Sequence, residues 1–326
     1  MTASIDAGLR ATLRHPKLVW LLWAWYGLLA LVPAFPAWSW WNGVLGSSPE
    51  AASVLTGFDL GVFLDVTAGK GINGLGLLTG AAATVALAAF VSSAFAFGGI
   101  LEVFGSDDDR RPFMHRFFRG GGHFFWRFFR LAIIAGVGLA LAIGAVSAVM
   151  AGITAPMSES EWEPAGYLAG LASVVVALAV AAYFLLALDY ARIRVARDDS
   201  RSMLKAYVAG MGFVLRRMLT AYGIAVAFLV LQLALVVGYL AYETNAPAAG
   251  TWGAIAALFL VQQAVVFGRV TLRVALIGAE RHFFEMALPR QMPAVFAAVS
   301  DPPGDIQPET VGSTPPADLE HGPEPA

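Results

Sequence analysis

The sequence predicts an all-α, polytopic helical membrane protein with six transmembrane helices. Hydrophobic residues make up 58% of the 326 residues and charged residues only 13%, whereas soluble domains have roughly 45–50% and about 25%. Six segments also reach the roughly 20 apolar residues that a bilayer-spanning helix needs. These segments are 18–38, 76–98, 131–153, 165–188, 218–242 and 252–274.

The first segment has two readings, because a basic start and an apolar run also characterise a signal peptide. The sequence AFPA at 34–37 faintly resembles a cleavage site. The apolar run is long, however, and the segment occupies the same place as the third and fifth segments in the internal repeat described below. We therefore expect it to remain in the protein as the first span.

The second, third and fourth spans carry small residues at every fourth position. Such rows let helix backbones approach closely in the membrane. They serve either packing within one bundle or an oligomer interface, and both readings stay open. The rows are Gly76, Gly80, Thr84, Ala88, Ser92 and Ala96; Gly136, Ala140, Gly144, Ala148 and Gly152; and Ala169, Ser173, Ala177 and Ala181.

The fifth and sixth spans contain the main polar side chains expected at mid-membrane depth, Gln232, Gln262 and Gln263. They indicate interhelical hydrogen bonds, or a polar crevice if the protein is a transporter. Ionisable residues, which usually mark ion paths, are missing from the centre of every span. Asp189, Arg192 and other charges near the span ends are expected to extend towards the interface.

The basic residues predict the topology, since cytoplasmic loops are enriched in Lys and Arg. Every Lys and Arg except Lys70 lies in or beside the N-terminus, the 2–3 and 4–5 connections or the C-terminus. We therefore expect both termini on the cytoplasmic side of a bacterial inner membrane.

An internal repeat appears when the sequence is shifted by ninety positions. Residues 108–127 then align with 198–217, with Gly120 over Gly210 and Gly122 over Gly212. The segment 8–16 resembles 210–218, and VFGRV at 266–270 resembles AFGGI at 96–100. This pattern predicts three repeated units, each an amphipathic helix followed by a helical hairpin.

The stretch FMHRFFRGGGHFFWRFFR at 113–130 is interpreted as one of these amphipathic helices. At 100° per residue its cations share one face and its phenylalanines spread over the other, which indicates contact with lipids, with anionic headgroups on the cationic face. The triple glycine is either a hinge or a flat crossing point for another helix. This interpretation is favoured over a nucleic-acid segment or a metal site. The predicted membrane-interface residues are Arg116, Arg119, His123, Arg127 and Arg130.

No motif for catalysis or cofactor binding is present, and the chain has no cysteine. No pair of carboxylates is expected in a protected site, so the sequence predicts neither an enzyme nor a metal centre. Residues 1–299 form the predicted membrane domain. Residues 300–326 are acidic, rich in proline and without Lys or Arg, which predicts a disordered tail.

The small and basic residues before each span, with the exit DYARIRVARDD at 189–199, resemble a group of uncharacterised bacterial six-span membrane proteins. The architecture over about 1–290 is similar to the membrane domain attached to glycerophosphodiester phosphodiesterases. No catalytic domain of that kind is present. The expected function is a non-enzymatic scaffold or assembly component with a homo-oligomeric or membrane-protein partner. The alternative is a transporter or lipid-handling protein with a cavity between the three hairpins.

Overall fold

A computed structural model describes residues 1–45, 72–105, 111–158, 164–245 and 252–288. The tail predicted at 300–326 lies outside the described residues. Within them the chain is helical, with eight helices and no strand. These are α1 Thr2–Arg14, α2 Pro16–Leu45, α3 Ile72–Gly105, α4 Phe113–Ser158, α5 Pro164–Asp198, α6 Met203–Arg216, α7 Met218–Asn245 and α8 Trp252–Ala287.

Six of these helices, α2 to α5, α7 and α8, are long and apolar enough to cross a membrane, which confirms the six predicted spans. Several are much longer than the bilayer requires. Helix α4 has 46 residues and a length of about 69 Å, more than twice the roughly 30 Å hydrocarbon core. Parts of the long helices therefore extend beyond the lipid tails and can form structure of their own.

The buried core lies at one end of the bundle, which we call the collar. It contains α1, α6, the N-terminal parts of α2, α4 and α7, and the C-terminal parts of α3, α5 and α8. Helix α1 packs on α8, the start of α4 on α3, and α6 on α5. Nearly all buried apolar side chains come from seven stretches, 18–22, 94–103, 117–135, 186–195, 203–214, 221–228 and 270–284.

The other halves of the spans have few internal contacts, and their apolar side chains are mostly exposed. The row of small residues on α4 lies on this surface, because Gly136, Ala140, Gly144, Ala148 and Gly152 are all exposed. A Cβ added to any of the three glycines would meet nothing within 4 Å. Packing among the residues that the structure describes therefore does not account for the row on α4.

One glycine in each of α1, α4 and α6 marks a close helix crossing. A Cβ on Gly210 would lie 2.6 Å from the Ala187 carbonyl oxygen, and one on Gly120 would lie 2.8 Å from the Gly98 carbonyl oxygen. A Cβ on Gly8 would lie 2.7 Å from the Ala279 nitrogen. Only glycine allows these backbones to approach so closely. We call these three positions the glycine seats.

The triple glycine of α4 is not a hinge, because the helix runs unbroken from Phe113 to Ser158. Of the two roles that the sequence left open, the crossing point is correct, and Gly120 is the residue at the crossing. The chain does break after α1 and α6, where His15 and Arg217 adopt similar non-helical conformations with φ of −121° and −127°.

Candidate functional site: a buried ion cluster in the collar

The predicted membrane-interface residues do not form one uniform exposed face. Arg119, His123 and Arg130 are exposed, and the Arg130 guanidinium lies 5.0 Å from the centre of the Trp126 ring. Arg127 is partly buried and pairs with Asp199. Its hydrogen bond and positive charge lower the pKa of the Asp199 carboxyl. Arg116 is only 7% exposed, so its placement on the outer cationic face is corrected.

The phenylalanines of this stretch do not all face lipid, although the helical projection predicts that they do. Phe117, Phe124 and Phe128 are buried in the collar rather than turned towards lipid. Phe118 and Trp126 remain exposed beside the outer arginines. A helical projection cannot tell a side chain that faces lipid from one that is buried in the protein core. Both environments accept apolar side chains, and such side chains occur on both faces of the stretch. The corrected outer face consists of Phe118, Arg119, His123, Trp126 and Arg130.

This outer face gives a first prediction. In anionic liposomes, a polarity-sensitive dye on Trp126→Cys should emit as if in lipid, and Arg119→Glu with Arg130→Glu should shift the emission towards that in water. The reason is the loss of about 1 kcal/mol of attraction for each basic residue near the surface. The matched control reverses Arg10 and Arg14, which are exposed on α1. Equal shifts in both double variants would contradict a specific contact through α4.

The collar contains a cluster of charged side chains that are removed from solvent except for Arg273, whose side chain is 46% exposed. Asp189 on α5 is 6% exposed and Arg192, one turn further along, is 5% exposed. The Arg192 Nη1 donates to the Asp189 Oδ1 at 3.2 Å, and the Arg273 Nη2 on α8 donates to Oδ2 at 3.0 Å. One carboxylate thus holds two guanidinium groups from different helices, and it joins α5 to α8.

Glu280 is the second carboxylate of this cluster. It is fully buried, and it interacts electrostatically with Asp189, Arg192 and Arg273. Neither of its carboxylate oxygens, nor the buried Tyr190 hydroxyl, has a hydrogen-bond partner among the described residues. The expectation that no carboxylate pair occupies a protected site is therefore wrong.

A cavity of about 50 Å³ adjoins the cluster between α2, α3, α5 and α8. Its polar lining consists of Tyr26, Ser93, Arg192 and Arg273. Gln232, Gln262 and Gln263 do not line it; Gln262 is exposed and the other two are partly buried. Because pockets for drug-sized ligands usually have about 300–1,000 Å³, this cavity suits a small group rather than a whole transported molecule.

The cluster could not be predicted from the residues alone, because the burial of a charge near a span end depends on which helices cover it. Asp189 and Arg192 were expected to extend towards the interface, yet α8 covers them. One signal was present. Arg273 and Glu280 lie two helical turns apart on one face of α8, beside the small residues Ala275 and Ala279. Small residues next to charges at a span end favour a covering helix.

The fold and the cluster define the class of protein, a multi-pass helical membrane protein with a packed, charge-containing collar at one end. Comparisons with protein-family models, with curated proteins and with solved structures found no match.

Proposed function

We propose that this chain is a non-enzymatic scaffold or assembly component of a bacterial cytoplasmic membrane, with its termini and collar in the cytoplasm. The distribution of Lys and Arg supports this orientation. The observation that carries the proposal is the difference between the two ends of the helical bundle. Packing is concentrated in the collar, while the row of small residues on α4 is exposed at membrane depth.

Three copies of the repeated unit, each an amphipathic helix followed by a helical hairpin, form the collar in this proposal. Helices α4 and α6 begin at Phe113 and Met203, which have the same separation as the aligned sequence blocks. The chain breaks at His15 and Arg217, at the same distance after Gly8 and Gly210. In the first copy, Gly8 lies against Ala275 and Ala279 of α8.

The exposed row on α4 supports association with a second copy of the chain. A glycine facing lipid offers little contact area, whereas a glycine facing another helix allows close backbone packing. Gly136, Gly144 and Gly152 lie about two turns apart along one i, i+4 row that winds slowly around α4, and no atom of the described residues lies within 4 Å of their Cβ positions. We therefore propose that self-association through α4 places several collars side by side.

The test is the oligomeric state of the full chain in liposomes at low protein-to-lipid ratio, measured by single-molecule photobleaching. The unmodified chain should be oligomeric, and Gly144→Leu should reduce association by about tenfold because it separates the backbones. Gly238→Leu is the matched control, since Gly238 is an exposed glycine on a different helix, α7, with equally open surroundings among the described residues. A monomeric unmodified chain, or equal effects of both changes, would contradict the proposal.

A further inference from the structure

The cavity beside the ion cluster has the chemistry of an anion site. Two guanidinium groups and two hydroxyls, from Tyr26 and Ser93, line it, and none of the described carboxylates does. Asp189 pairs with both arginines, which fixes their positions before any ligand arrives, and the buried Glu280 also offsets part of their charge. Such preorganisation reduces the cost of binding.

The guanidinium groups retain donors for a ligand. An arginine has five N–H donors, and in their ion pairs with Asp189 each group uses one nitrogen. The Arg192 Nε is buried and has no hydrogen-bond partner among the described residues. Since that nitrogen has almost no accessible surface, a ligand in the cavity would be met by the Nη donors of the two groups instead.

The shape and position of the cavity restrict the ligand. A volume of about 50 Å³ accommodates a few waters, at about 10–15 Å³ each, or one small tetrahedral group. The remaining walls are apolar, with Leu22, Phe97 and Val270 among them. On α8, the charge-free stretch that begins at Trp252 ends at Gly268, just before Arg269 and Arg273, so the cavity lies at the boundary between hydrocarbon and headgroups.

We propose that this cavity binds the phosphate of an anionic phospholipid from the leaflet that faces the collar. Arg192 and Arg273 contact the phosphate oxygens, because guanidinium groups match phosphate geometry. Tyr26 donates its hydroxyl, and the apolar walls contact the start of the acyl region. Basic pockets between transmembrane helices commonly bind such headgroups. The lipid thereby joins α2 and α3 to α5 and α8, a role separate from self-association through α4.

The experiment uses the full chain in neutral detergent and follows thermal unfolding and native mass spectra with three added probes. These are phosphatidylglycerol, phosphatidylcholine and inorganic phosphate. Phosphatidylglycerol should raise the unfolding temperature and remain bound, whereas the other two probes should do neither. Arg273→Gln should lower the apparent affinity for phosphatidylglycerol by about tenfold, the effect of losing one charge-assisted hydrogen bond.

Two further variants make the result decisive. Arg269→Gln is the matched control, because Arg269 is exposed one turn away and does not line the cavity. Tyr26→Phe removes only a hydroxyl and tests the site even if Arg273→Gln does not fold. Unchanged binding in Tyr26→Phe and Arg273→Gln, or an equal loss in Arg269→Gln, would overturn the site. Stabilisation by inorganic phosphate alone would overturn the lipid as its ligand.

Discussion

Replacing Gly210 by alanine should destabilise the protein, whereas the same change at Gly212 should leave it equally stable or more stable. A Cβ at Gly210 would lie 2.6 Å from the Ala187 carbonyl oxygen, while one at Gly212 would meet nothing within 4 Å. Crowding of a packed core costs about 1–3 kcal/mol. Alanine in an open helical position gains up to about 1 kcal/mol over glycine.

A second pair of glycines provides the same comparison on a different helix. Gly120 lies in a glycine seat, where a Cβ would be 2.8 Å from the Gly98 carbonyl oxygen, and Gly122 is open. Denaturation of the four purified variants, followed by the fluorescence of the tryptophans, measures each effect. If the changes at Gly120 and Gly210 were no more harmful than those at Gly122 and Gly212, the crossings at the glycine seats would be wrong.

Replacing Asp189 by asparagine should be still more damaging. The change removes the negative charge that holds both Arg192 and Arg273. Removing one partner of a buried ion pair costs about 3–5 kcal/mol, and here the buried Arg192 loses the carboxylate to which it donates a hydrogen bond. We expect a large loss in the free energy of unfolding and weaker association between α5 and α8.

Asp6→Asn is the matched control for this change. Asp6 also pairs with an arginine, Arg10, at 2.6 Å, but both side chains are largely exposed. Exposed pairs contribute only about 0–1 kcal/mol, so the control should unfold almost like the original chain. If both substitutions had the same small effect, Asp189 would be in contact with solvent and the cluster would not be buried.

The sequence predicted the spans well, because a bilayer imposes a length and an apolar composition that are visible without any tertiary information. It could not predict which side of 113–130 is buried. Arginine and phenylalanine occur on both sides of that helix, and the burial of Arg116 depends on the helices that pack on α4.

The glycines also show that the sequence does not predict which side of a helix is buried. The repeat aligned Gly120 with Gly210 and Gly122 with Gly212, yet only the first pair meets a neighbouring backbone. Spacing places both on one helix, but the position of the crossing helix decides which one needs to be glycine. Glu280 was missed for a related reason, since its burial depends on the helices that cover the end of α8.

Helix α1 packs against the C-terminal end of α8 and is part of the collar. Because the chain has no cysteine, Ser4→Cys with His282→Cys gives a clean test. The Ser4 Oγ and His282 Nδ1 lie 3.4 Å apart. A short thiol crosslinker applied to the full chain in membranes should join this pair efficiently. Ser4→Cys with Gly253→Cys, at the opposite end of α8, should stay unlinked. Failure of the first pair, or equal linking of both, would contradict the collar.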